Sequence, residues 1–102
     1  MTLAELTNLM HQFVKGKGWY APDSIHPQTP RNLAISLSLE SAEVLEHFQW
    51  QDQLGEAEKQ ALAGELADVG LYLLQLASIN GIDLEQAILE KLRINQTRTW
   101  DK

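Results

Sequence analysis

The sequence predicts an all-α protein of four helices, and three observations point that way. Apolar residues recur with helical period almost throughout the 102 residues, turn-forming residues break that period in three places, and no alternating run marks a strand. Thr2 with Glu5 forms a capping-box signature, and the stripe Leu3, Leu6, Met10, Phe13, Val14 follows toward Lys15, where Gly16 and Gly18 end the first helix. From Trp19 to Thr29 there are three turn-forming residues and no sustained period, which predicts a loop about a dozen residues long; loops of that length in compact domains are often functional. Thr29 as N-cap and Pro30 in the first turn open the second helix, which Leu33, Leu37, Val44, Leu45 and Phe48 carry toward Trp50. Gln51 to Gly55 reads as a connector. A third helix is predicted from near Glu56 to Ile79, stopped by Asn80-Gly81, and a fourth opens with a capping box of Asp83 and Gln86 and carries Leu84, Ala87, Ile88, Leu92 and Ile94.

Composition narrows the function classes. A chain of this length is expected to form one domain over residues 1–102, small enough for oligomerisation to help stabilise it. The absence of cysteine excludes disulfides, thiolate zinc sites and cysteine nucleophiles, and a reducing cytoplasm is the expected location. Neither a signal peptide nor an apolar span of membrane length is read in the sequence, so no membrane partner is expected. A formal net charge of −6 argues against binding a nucleic-acid polymer through its backbone, and a polyanionic ligand should need a metal bridge.

The acids carry the chemistry. Glu40-Ser-Ala-Glu43 and Glu65-Leu-Ala-Asp68 are two pairs at i, i+3 spacing, each on one helix face, so two helices can aim four carboxylates at one point. Glu40 continues the stripe Leu33, Leu37, Val44 and therefore points toward the core. Asp68 is the single charge in Leu66–Ile79, a segment apolar enough around its circumference to be expected buried on most sides. A buried carboxylate must be neutral, paired with a cationic side chain or bound to a cation, and Glu65 one turn earlier favours the cation. Acidic pairs of this spacing are common on solvated faces; Glu46, outside the stripe, reads as one such solvated residue. His47 is an exposed polar residue or a supporting partner of Glu43, with the first reading preferred. Gly64 and Gly70 inside the third helix read as sites of close helix packing.

The ordered set of Glu40-Ser-Ala-Glu43, Glu65-Leu-Ala-Asp68 and the tail Lys91-Leu-Arg-Ile-Asn95-Gln-Thr-Arg98 resembles the MazG-like all-α nucleoside triphosphate pyrophosphohydrolases. Pro30-Arg31-Asn-Leu33 and Phe48-Gln-Trp50 are closer to the dCTP pyrophosphatase branch. The resemblance implies a MazG-like bundle and Mg²⁺-dependent hydrolysis of a deoxynucleoside triphosphate, dCTP or a related or modified one, between the α- and β-phosphates. It implies that Glu40, Glu43, Glu65 and Asp68 hold the metal, with Glu40 or Glu43 also activating water. Lys91 and Asn95, which share a face with Arg98, are implied to contact the nucleotide; Arg31 is a further substrate-binding candidate. Trp19, Trp50 and Trp100 are candidates for stacking on the base, Trp19 first by position, with His26 in the same pocket. Relatives carry Arg-Tyr-Pro where this chain has Arg98-Thr-Trp100, which leaves the last turn open. The resemblance also implies a homotetramer built as a dimer of dimers and a role in cleansing the nucleotide pool.

Two readings compete. A di-iron carboxylate bundle needs Glu-x-x-His pairs, and His47 stands four residues after Glu43 and one after Glu46. A non-catalytic helical interaction module explains apolar surfaces but not acids at apolar positions.

Overall fold

The computed structural model describes residues 1–99, so the Trp100 assignment lies outside the described residues. Four helices follow in order: α1 (Leu3–Gly16), α2 (Pro30–Glu46), α3 (Glu56–Ile79) and α4 (Leu84–Thr97). The two hydrogen bonds of the Thr2–Glu5 capping box are both present on α1, and the Thr29 hydroxyl accepts from the Asn32 N–H where Pro30 opens α2. At α4 only half of the expected box forms: the Asp83 carboxylate caps the Gln86 N–H, and no return bond from the Gln86 side chain is made. The second helix also stops short of Trp50. Beyond Val44 its N–H groups bond three residues back, from His47, Phe48 and Gln49, which tightens the chain into a turn.

Two helices end in the same way. Gly18 and Gly81 have φ of 77° and 70°, a left-handed conformation that disfavours any side chain. After α1, Trp19 N–H reaches the Val14 carbonyl and Gly18 N–H the Lys15 carbonyl; after α3, Ile82 and Gly81 make the equivalent bonds to Ala77 and Ser78. Both are Schellman caps, which turn the chain and press the following apolar residue back onto the helix. Trp19 is thereby packed against the small core of Met10, Val14 and Leu74, joined by Leu3 and Leu84.

Helix α3 is the hub: α1, α2 and, more lightly, α4 pack on it. On α2 the expected stripe holds, with Leu33 2% exposed and Leu37, Glu40 and Val44 half-buried. The expectation that α3 is covered on most sides is corrected: Leu66 and Leu73 are 51% and 42% exposed, because one chain supplies too few partners for a helix apolar all round. Gly64 and Gly70 are corrected with it. A methyl group on either would meet nothing within 4 Å, so no close packing within the chain requires them. Contrary to the sequence reading, α3 is long and apolar enough to cross a membrane by length and composition, with a mean hydropathy of 1.3 over its most apolar window. Its Leu-rich C-terminal half outweighs the two acids, Glu65 and Asp68, in that stretch.

The chain is open for its size. Its radius of gyration is 16.3 Å, against about 13 Å for a compact chain of this length. Its accessible surface is 7931 Å², against about 5,800 Å² for a compact monomer of this mass.

Candidate functional site

Packing α2 against α3 brings the two acidic pairs onto facing helices. Glu40 is half-buried, and its Oε2 is shut off from solvent with no hydrogen-bond partner. Burial raises its pKa above the ordinary carboxylate value, and the charges of Glu43, Asp68 and Glu65 raise it further. The other three acids therefore reach Glu40 electrostatically. Glu43 and Asp68 are exposed in the single chain, which corrects the expected burial of Asp68. Its face of α3 opens onto a cavity rather than into a closed core.

Among the described residues no three acids or histidines are gathered closely enough to hold a metal. Four mutually repelling carboxylates have no reason to converge unaided. The donor set nonetheless fits a hard divalent cation: every candidate ligand is a carboxylate oxygen, and the orphaned Glu40 Oε2 has no other partner. His47 departs from its preferred reading. It is half-buried, and its Nε2 bonds Oε2 of Glu65, not Glu43, tying the end of α2 to α3. One oxygen of Glu65 is so held, leaving the other for a ligand.

Beside the acids, α1, α2, α3 and the loop enclose a cavity of about 830 Å³. Glu40 and Asp68 line it, Phe13, Trp19, Leu71 and Tyr72 supply apolar wall, and His26, Gln28 and Gln75 supply polar wall. Trp19 stands edge-on to Phe13 (5.8 Å, 83°) and to His26 (5.8 Å, 75°), so an aromatic corner closes the loop side. The loop itself is laced down. Asn32 Nδ2 donates to the Pro27 carbonyl, the His26 N–H to Ser24 Oγ, and Gln28 Nε2 to the His26 carbonyl.

The structure thus brings together Glu40, Asp68, Trp19 and His26 at the cavity, with Glu43 and Glu65 on the same two helices. It does not bring the remaining candidates to the cavity wall of the single chain. Arg31 is exposed beside the wall residue Asn32, and Trp50 is 88% exposed on the connector. Lys91 and Arg98 are exposed and Asn95 half-buried at the α4 end, none of them on the cavity wall. Arg93 pairs with Glu90 on the surface at 2.5 Å. Four polar residues went unremarked in the sequence: His11, Tyr20, Gln28 and Gln75. For Gln75 the signal was present, since it interrupts the same apolar run that singled out Asp68.

The chain resembles known proteins in sequence and in fold. The chain is 36% identical to human (Homo sapiens) dCTP pyrophosphatase 1 over 105 residues, covering 95% of this chain and 58% of that protein. It is thus shorter than the curated relatives it matches over most of its length. A 40-residue stretch, 39% of this chain and 14% of the relative, is 45% identical to a dATP/dGTP diphosphohydrolase of Salmonella phage PMBT28. The crystal structure of a pyrophosphatase from Archaeoglobus fulgidus superposes with a TM-score of 0.69 at 33% identity, covering 91% of this chain and 87% of the other. The profile of the MazG-like family matches residues 35–101. With the all-α architecture and the facing acidic pairs, these likenesses place the chain in the MazG-like family.

Proposed function

We propose that residues 1–102 form one catalytic unit that hydrolyses (deoxy)nucleoside triphosphates at the α–β bond, releasing a monophosphate and pyrophosphate. The observation that carries this reading is the orphaned, half-buried Glu40 carboxylate at the wall of an aromatic-lined cavity, with three more acids in electrostatic reach. The relatives' names, dCTP pyrophosphatase and dATP/dGTP diphosphohydrolase, support the same reaction class. dCTP or a related or modified deoxynucleotide is the favoured substrate, and removal of unwanted nucleotides from the pool the favoured role.

Glu40, Glu43, Glu65 and Asp68 would hold the metal, for which Mg²⁺ is the natural choice given an all-oxygen donor set. When bound, such an ion neutralises triphosphate charge and acidifies water. Glu40 or Glu43 orients the attacking water and accepts its proton as the water oxygen bonds to the α-phosphorus and the α–β bridging bond breaks. His47 holds Glu65 in place. The aromatic corner of Trp19 and His26 faces the base, while Arg31, Lys91, Asn95 and Arg98 are proposed to meet the nucleotide from surfaces that another subunit can bring nearer. A homotetramer, as a dimer of dimers in the cytoplasm, fits the excess exposed surface, since a second copy can cover the α3 leucines.

The test is product identification for a panel of dNTPs and NTPs, modified cytosine nucleotides included, with and without Mg²⁺. Monophosphate plus pyrophosphate, appearing only with metal, is the expected result. Orthophosphate as the product, or no turnover across the panel, would overturn the reading.

A further inference from the structure

Gln75 is the one buried polar side chain among the described residues, 3% exposed, and it lines the cavity. Its amide orientation follows from a chain of hydrogen bonds that starts at a group with no choice. The His26 carbonyl can only accept, so the Gln28 amide turns its NH₂ toward it, at 2.7 Å, and presents its oxygen to Gln75. Gln75 must then offer N–H to that oxygen, at 2.8 Å, and its second N–H falls to the Tyr20 oxygen at 3.2 Å. Tyr20 gives its own proton to His11 Nδ1 at 2.5 Å, and the other ring nitrogen of His11 donates to Ser78 Oγ at 2.7 Å. Every polarity along this line is consistent. Both Gln75 N–H groups are engaged, and no described residue donates to its carbonyl oxygen.

We propose that the Gln75 carbonyl reads the nucleobase by accepting a hydrogen bond from an exocyclic amino group. Cytosine or adenine is thereby favoured over uracil or hypoxanthine, which present a carbonyl at the same place. The inference rests on the proposed nucleotide site and adds a specificity-determining residue to it. An amide that can offer only its acceptor is left unsatisfied against a keto base, which sets two oxygens against each other. Tyr20 and Gln28 are positioning residues: they prevent the amide from turning its NH₂ to the ligand, which a lone glutamine would do freely. A merely structural staple between loop and α3 has no such polarity requirement toward a ligand.

Equilibrium binding tests this independently of turnover. Calorimetric titration of the full chain, in Mg²⁺, with dCMP against dUMP and with dAMP against dIMP should show at least tenfold tighter binding of the amino partner in one pair or both. Gln75→Leu should remove that preference while its melting temperature stays near that of the wild type. Tyr20→Phe and Gln28→Ala, which release the amide without removing it, should reduce the preference severalfold and serve if Gln75→Leu does not fold. No preference in the wild type, no binding of any of the four monophosphates, or a preference retained in the variants would each overturn the proposal. Failure of the hydrolase reading is separately visible as absent pyrophosphate release, which leaves the binding ratios readable.

Discussion

The fold disfavours the ionised form of Glu40. Its proton is bound more tightly when folded than when unfolded, because burial and the charges of Glu43, Asp68 and Glu65 all disfavour the anion. Between the ordinary carboxylate value and the raised one, the folded state therefore carries more protons, and stability rises as pH falls through that interval. Above it the penalty is fully present. In EDTA, Glu40→Gln should melt higher than the wild type at neutral pH, with the difference shrinking as the pH is lowered; a constant difference would count against this account. On the proposed mechanism the same variant should lose at least 100-fold in pyrophosphate release, since it removes a carboxylate assigned to metal and water. His47→Ala should weaken Mg²⁺ or Mn²⁺ binding about tenfold or more, measured by calorimetry, because Glu65 loses the partner that orients it. At this scale the sequence was informative where a polar residue broke an apolar pattern, as at Glu40. It misjudged His47, read as exposed or as a partner of Glu43, whose actual partner lies 18 residues away on another helix. No periodicity encodes a pairing across helices.

The elements follow from local chemistry, and their ends do so most clearly. Capping residues and Pro30 fix where α1, α2 and α4 begin, and the two positive-φ glycines fix where α1 and α3 stop, so those bounds were legible from sequence. The end of α2 was not, for it has no glycine or proline to mark it and dies out through bonds to the third residue back. Gly81→Ala should cost about 1–2 kcal/mol in denaturant unfolding, the penalty for a side chain in the left-handed region. Gly70→Ala should do the opposite. With open space around it, an added methyl should stabilise α3 by about 1 kcal/mol through helix propensity. Destabilisation there, with loss of assembly, would show instead that another copy presses on this face.

Taken whole, the chain has more surface than a compact monomer of its mass and a hub helix on which Leu66, Leu71 and Leu73 face outward. Sedimentation velocity should therefore show an oligomer at micromolar concentration, with a melting temperature that falls on dilution; a monomer with concentration-independent melting would refute the proposed assembly. What the sequence could not show is where the space lies. It predicted four helices and two acidic pairs, but cavity walls depend on how α1 and α2 each lean on α3, and that angle is a property of packing, not of any one segment.

That cavity occupies the place where a self-sufficient bundle would keep its core, and Leu33, Phe13 and Leu71 line it as core residues would. On the proposed function, a nucleotide bound there is as much an internal component as a guest. Saturation at a hundred times the dissociation constant adds about 2.7 kcal/mol to the folded state, a large part of what a small domain possesses. In a cell, the lifetime of this protein against proteolysis should consequently track the abundance of whatever ligand fills the cavity, the proposed nucleotide included, with the chain persisting when that ligand accumulates and being cleared when it is gone.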